Sequence, residues 1–371
     1  MHPLNRIGIL TAGGDCPGLN AVIRSVAKEA IIQGLGVVGI EDGFLGLIEN
    51  RCRPLSRRDV SGILASGGTI LGSSNRSNPA RFAVGKNPDG SPVFADVSDR
   101  CLAAIREHRL DAIVVVGGDG SMTVAQQLWE RGIRDGTDLH FVGVPKTIDN
   151  DLHGTDITFG FATAVSIATE ALDRVHTTAA SHQRVMVVEV MGRNAGWIAL
   201  HAGVASGSDI ILIPEIPFSI DSVCKAIEDR GRMGAKFSVI AVSEGARPAG
   251  GERFVARVDP TSPDPIRLGG IGKHLSEQIE SRTGHESRYV VLGHVQRGGT
   301  PVAADRVLAT QFGHHAIRLL LNGKRHRLVA LQNGRLTDIP MSECANRQRL
   351  VDTADPLIAA ARGVGTMFGD E

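Results

Sequence analysis

Short runs rich in valine and isoleucine return along this chain, separated by longer segments with helical spacing, and that alternation limits the fold more than any other feature. The runs are "IGIL" (7–10), "GVVGI" (36–40), "AIVVV" (112–116), "FVGV" (141–144), "VMVVEV" (185–190), "IILI" (210–213), "FSVIAV" (237–242) and "YVVLG" (289–293). Continuous apolar runs of this length read as strands buried on both faces. Helical patterns occupy 17–33, 98–109, 121–131, 158–178, 221–231, 268–283 and 302–322. Their alternation predicts an α/β fold of mostly parallel sheets with helices on both faces.

Helix starts are marked by Pro17 as a first helical residue after Asp15, by Ser98 before "DRCLAAI", and by Ser121 after the glycines of "GGDGS". The stretch from Gly67 to Ser98 is rich in Ser, Asn, Gly and Pro, which predicts a long surface loop or hairpin near a site. No clean linker and no internal repeat divides the chain.

With 371 residues there is room for two domains or one large one. Lys plus Arg and Asp plus Glu number 40 each, so no overall field favours nucleic acid or an anionic membrane. The five cysteines are scattered, without the C-x-x-C spacing of zinc or redox sites. They suit a reduced cytosolic compartment. The first apolar run begins at Ile7, leaving no space for a signal peptide, and no run approaches the length of a membrane span. The 45 glycines lack a period but cluster after the apolar runs, where an α/β protein turns from strand to ligand-binding loop.

Three such loops carry the chemistry: "TAGGDCPGLN" (11–20), "VGGDGSM" (116–122) and "VPKTIDND" (144–151). Loops that follow parallel strands converge at the carboxyl edge of their sheet. Glycine pairs before a helix let backbone N–H groups approach phosphate oxygens, although tight turns use the same residues. Asp119 beside such a cradle makes sense if a divalent cation bridges it to phosphate; the alternative is a helix cap. In the third loop Asp149 is a candidate general base, Thr147 a hydrogen-bond donor and Lys146 a compact cation for phosphate charge. The alternative there is a polar turn whose side chains bond their own backbone. Further on, Arg184, Arg193, Arg288 and Arg297 stand at strand ends, an arrangement suited to bidentate phosphate binding.

In this order "TAGGDCPGLN", "GGDGS", "PKTIDND", "EVMGR", "SEG" and "LGHVQRGG" resemble the phosphofructokinase family across roughly residues 7–312. The resemblance implies two similar Rossmann-like α/β domains with the site between them. The first would comprise 1–160 plus about 296–345 and the second 161–295 plus about 346–371. It implies a homo-oligomer, usually a tetramer, and the transfer of a phosphoryl group from Mg-ATP to the C1 hydroxyl of fructose 6-phosphate.

Carried onto this sequence, the resemblance makes Asp149 the base, with Thr147 and Asp151 beside it, and gives Mg2+ to Asp119. Gly13, Gly120 and Ser121 would cradle the donor phosphates. Met191, Gly192 and Arg193 match substrate-contacting positions, with Arg193 steadying the transferring group. Glu244, His294 and Arg297 would grip the sugar phosphate, joined by Arg184 and Arg288 from a neighbouring subunit. The loop "LGSSNRSNP" departs from the pattern: family members usually have an arginine where this chain has Asn75, with Arg76 one residue later.

Two positions disagree about the donor. Gly120 leaves room for the α-phosphate of ATP, where an aspartate marks pyrophosphate users; Lys146 is the residue usual in pyrophosphate users. An aspartate would exclude ATP by bulk and charge, whereas a lysine only adds attraction. ATP is therefore the expected donor and pyrophosphate the alternative. Phe44 could pack on adenine or simply fill the core. More remote readings are an NAD kinase, which shares a "GGDGT"-like loop, and a sugar-phosphate-binding subunit without catalysis.

Overall fold

The structure, a computed structural model, describes residues 4–137, 139–258, 265–345 and 347–371. Two sheets organise them. The larger runs in the order Arg335–Pro340, Arg327–Gln332, His140–Thr147, Ala112–Gly117, Arg6–Thr11, Gly36–Ile40, Cys52–Pro54, with Phe159–Gly160 pairing the end of His140–Thr147. Its central strands are parallel, Ile9 lying beside Val114 and Val114 beside Val142. The smaller sheet runs Ile210–Leu212, Ser238–Ser243, Val185–Val190, Ser287–Val291, all parallel.

Every apolar run became a strand, and the central ones are buried throughout, as at Ala112–Gly117 and Val185–Val190. Ser287–Val291 differs from the expectation of burial on both faces: Tyr289 is 45% and Val291 51% exposed. It is the edge strand of the smaller sheet, so fewer neighbours cover it.

Helix Leu19–Ile32 packs on Ala303–Leu321, a pairing sealed by Gly313, whose Cβ would lie 2.8 Å from Ser25 Cβ. Pro17 does not open the first helix. Gly18 intervenes with a left-handed φ of 106° and lies against the Phe159 ring, so Pro17 remains in the preceding turn. Within 67–98 the chain forms the antiparallel hairpin Phe82–Lys86/Pro92–Ala95. One apolar cluster includes Ile7 and Val114 from the larger sheet, Val188 and Ile211 from the smaller, and Leu172 from helix Phe161–His182.

Candidate active site

The three glycine-bearing loops meet at the carboxyl end of the larger sheet. Gly13 takes a left-handed φ of 83°, and a Cβ there would lie 3.2 Å from Lys146 Nζ and 3.7 Å from Ser121 Oγ. The Ser73–Ser74 segment is laced to it: Gly13 N donates to Ser74 O at 3.1 Å and Ser73 Oγ donates to Gly13 O at 2.6 Å. Arg76 follows on the exposed side of that segment. Helix Asp119–Arg134 begins two residues before Ser121, so Asp119 lies in its first turn, where the helix dipole favours an anion. Nothing lies within 4 Å of a Cβ built on Gly120, so this face of the turn is open.

Lys146 is only 4% exposed and donates to Gly14 O at 2.5 Å. Burial lowers its pKa, while the nearby Asp149 and Asp15 charges oppose that shift. In the loop that follows, Asp149 N donates to Thr147 Oγ1 at 3.0 Å, and Asn150, at φ 53°, accepts from Thr158 N at 3.0 Å. A polar turn therefore exists, but it is made by Thr147 and Asn150 and leaves the Asp149 carboxyl out. Asp149 is 8% exposed, and its Oδ1 is buried without a hydrogen-bond partner. Burial raises its pKa; Arg297, Arg193 and Lys146 pull it back, and Asp119 adds to the rise. Asp151 is pushed up to about 7, first by burial and then by the Asp149 charge.

The smaller sheet supplies the opposite wall. Val185–Val190 ends in Met191, Gly192 at φ 141° and Arg193 at φ 53°. Ser243 ends its neighbour, and Glu244 Oε1 accepts from Arg193 N at 3.1 Å. The Glu244 carboxyl is pushed up to about 7 by burial and by Asp149. Arg297 lies across the first loop, its Nη1 donating to Asp15 O at 3.0 Å. His294, in the short Gly293–Arg297 turn, is exposed.

Arg184 and Arg288 are elsewhere. They stand at the amino ends of their parallel strands, opposite the edge that carries Arg193, and share Glu286: Arg184 Nε at 2.8 Å and Arg288 Nη2 at 2.6 Å. Phe44 is 3% exposed and packs in the core beneath the larger sheet, so of its two readings core packing is the one that holds.

Sequence reasoning missed Gln348 and Arg349, which touch the acidic loop from nearly two hundred positions away: Gln348 Nε2 donates to Asp151 Oδ2 at 3.3 Å and Arg349 N to Asp151 O at 2.7 Å. No local pattern marks them, because their partners are set only by the tertiary path of the chain.

A family model for phosphofructokinase matches residues 6–320. The chain is 45% identical over its whole length, and the whole of the relative, to an ATP-dependent 6-phosphofructokinase 2 of Clostridium perfringens. It is 47% identical, over 93% of this chain and 96% of the other, to a pyrophosphate–fructose 6-phosphate 1-phosphotransferase of Amycolatopsis mediterranei. Among solved structures it resembles phosphofructokinase from Saccharomyces cerevisiae, with a TM-score of 0.76 and 30% identity over 92% of this chain and 45% of that one. On a family match across most of its length, and on full-length relatives at this identity, the chain belongs to the phosphofructokinase family.

Proposed function

We infer that this chain transfers the γ-phosphoryl group of ATP to the C1 hydroxyl of fructose 6-phosphate, giving fructose 1,6-bisphosphate and ADP, the committed kinase step of glycolysis. The observation that carries the reading is the buried, unpartnered Asp149 Oδ1 at the meeting point of donor loops and arginines. As the C1 oxygen bonds to the γ-phosphorus and the bond to the ADP oxygen breaks, the hydroxyl proton passes to Asp149. A carboxylate whose pKa is raised by burial is better matched to that proton transfer than one in water. Arg193 and Lys146 offset the charge that gathers on the transferring group, the main demand of phosphoryl transfer. Thr147 holds the loop through its bond with Asp149 N. Gly13, Gly120 and Ser121 would cradle the donor phosphates.

Mg2+ fits this donor set. It prefers a few hard oxygen ligands together with substrate phosphates and water. Asp119 offers such a carboxylate, and no cluster of three or more His, Cys, Asp or Glu suited to a metal occurs among the described residues. When bound, the ion would neutralise charge on the donor oxygens.

Met191, Gly192, Glu244, His294 and Arg297 would hold the sugar phosphate in the same chain, and Arg184 and Arg288 would serve a neighbouring copy in a tetramer. The lobes 1–160 with 296–345 and 161–295 with 346–371 would carry donor and acceptor respectively. No described helix is long and apolar enough to cross a membrane, and the five free cysteines suit a cytoplasmic setting.

Lys146 and the Amycolatopsis relative favour pyrophosphate as a second donor reading. ATP is preferred because Gly120 leaves its side open, whereas Lys146 already gives one N–H to Gly14 O. Steady-state assays with Mg-ATP and with pyrophosphate decide it: a larger kcat/KM with ATP is expected, and the reverse would overturn the donor assignment. Gly120→Asp should fold normally, since its side chain enters open space, and should lower kcat/KM for ATP by ~10^2 or more through bulk and charge repulsion. Asp149→Ser should cut kcat by ~10^2 or more with either donor; an unchanged rate removes it from the proton step.

A further inference from the structure

The segment 347–351 lies outside the residues matched by the family model and passes directly behind the acidic loop. It joins loops from both sheets. On one side Gln348 forms an antiparallel bridge with Leu152, Gln348 Nε2 donates to Asp151 Oδ2 at 3.3 Å, and Arg349 N donates to Asp151 O at 2.7 Å. Arg349 Nη1 also donates to Asn150 O at 3.3 Å. On the other side Asn194, next to Arg193, donates its Nδ2 to Gln348 Oε1 at 3.0 Å. Trp197 Nε1 donates to Arg349 O at 3.0 Å, and the Arg349 guanidinium lies 4.2 Å from the centre of the Trp197 ring.

We propose that this segment is a strap that positions the acidic loop against the Arg193 loop, with Gln348 as the positioning residue that clips Asp151 to Asn194. The amide suits the task because one end donates to a carboxylate while the other accepts from an amide; no charged side chain of that length offers both. Arg349 supplies the anchor. Its backbone pairs and its stacking on Trp197 keep the strap seated whatever side chain occupies 348. The consequence for activity rests on the reading of Asp149–Asp151 as catalytic; the positioning itself does not.

Gln348→Glu is the discriminating variant. It keeps the shape and the acceptor toward Asn194, but it replaces the donor facing Asp151 with a second anion. Gln348→Ala removes both bonds without adding charge. Hydrogen exchange of peptides covering 147–152 should quicken in both variants and most in Gln348→Glu. With the phosphoryl donor that wild type prefers, kcat should fall by about 10-fold in Gln348→Ala and further in Gln348→Glu. KM for the donor should stay within about twofold, because the donor cradle lies on other loops. Emission from Trp197, measured with Trp129→Phe in the background, should not move, which reports a seated strap.

Unchanged exchange in Gln348→Glu would overturn the proposal. So would quickened exchange in Gln348→Ala but not in Gln348→Glu, since both variants lack the donated bond; quickened exchange with wild-type kcat would overturn the strap's part in catalysis. A wild-type protein inactive with both donors would instead sink the functional reading, and the exchange result would still decide whether the strap holds the loop.

Discussion

Asp149 and Glu244 show how a residue suited to a proposed site can oppose stability. Each is a carboxyl taken out of water among charges of both signs, and each has its pKa raised by that burial. For Glu244 the ordinary value of 4.5 applies to the unfolded chain and about 7 to the folded one. Above pH 4.5 the unfolded chain ionises first, so folding loses stability as pH climbs toward 7, and the deficit then stays constant. Glu244→Gln should therefore stabilise the substrate-free, Mg2+-free protein by of order 1 kcal/mol at pH 8, and by less at pH 5, in urea unfolding. The Arg193 N–H can still find an acceptor in the amide, so this bond is not a confounding loss. An equal gain at both pH values would show that titration is not the cause. On the proposed role of Glu244 in holding the sugar, activity should fall in the same variant. Legibility at this scale was uneven. Asp119, Asp149 and Arg193 could be read because their motifs are local, whereas the engagement of Lys146 with Gly14 O and the burial of Phe44 depend on what the fold brings near.

Among elements, the sequence was clearest where a segment is buried on both faces, since a run such as "AIVVV" has no other use. It was least clear for elements defined by partners. The hairpin Arg327–Gln332/Arg335–Pro340 was missed although its signal is present: Asn333 and Gly334 adopt φ of 51° and 73°, the positive values that an Asn-Gly turn supplies between alternating strands. Helix Trp197–Ala205 was missed because its residues are nearly all apolar and show no polar face. The start of helix Phe161–His182 was hidden for another reason. No side chain near it in sequence caps it; Asp305, from helix Ala303–Leu321, accepts from Gly160 N at 2.9 Å and from Thr163 N at 2.8 Å. The Thr163 hydroxyl donates to the same carboxylate and accepts from Val302 N at 3.1 Å, so one buried acid joins two helix starts. Asp305→Ala should lower stability by about 3 kcal/mol, because several buried donors lose their acceptor together. Asp305→Asn, which keeps one acceptor oxygen, should recover part of the loss in urea midpoint. A cost below about 1 kcal/mol for the alanine variant would mean that water or a shifted backbone satisfies those groups.

For the whole molecule, the question is whether two sheets mean two independently stable halves. The packing argues for one cooperative unit. Val188 and Ile211 of the smaller sheet belong to the same apolar cluster as Ile7 and Val114 of the larger. Helix Phe161–His182 contributes Phe161, Ala164 and Leu172 to it and contacts strands of the smaller sheet, while helix Ala303–Leu321 closes on Leu19–Ile32 of the larger. The chain carries its own reporters, since its two tryptophans fall on opposite sides: Trp129 on helix Asp119–Arg134 beside the larger sheet, Trp197 on helix Trp197–Ala205 beside the smaller. Urea unfolding followed separately in Trp129→Phe and Trp197→Phe should give coincident midpoints once each variant is normalised by circular dichroism. Leu172→Ala, at a fully buried position in the shared cluster, should lower both midpoints together, by about 2–5 kcal/mol in stability. Separate midpoints, with Leu172→Ala moving only one of them, would mean that the shared core is too weak to couple the halves, and that closure of one lobe on the other costs little.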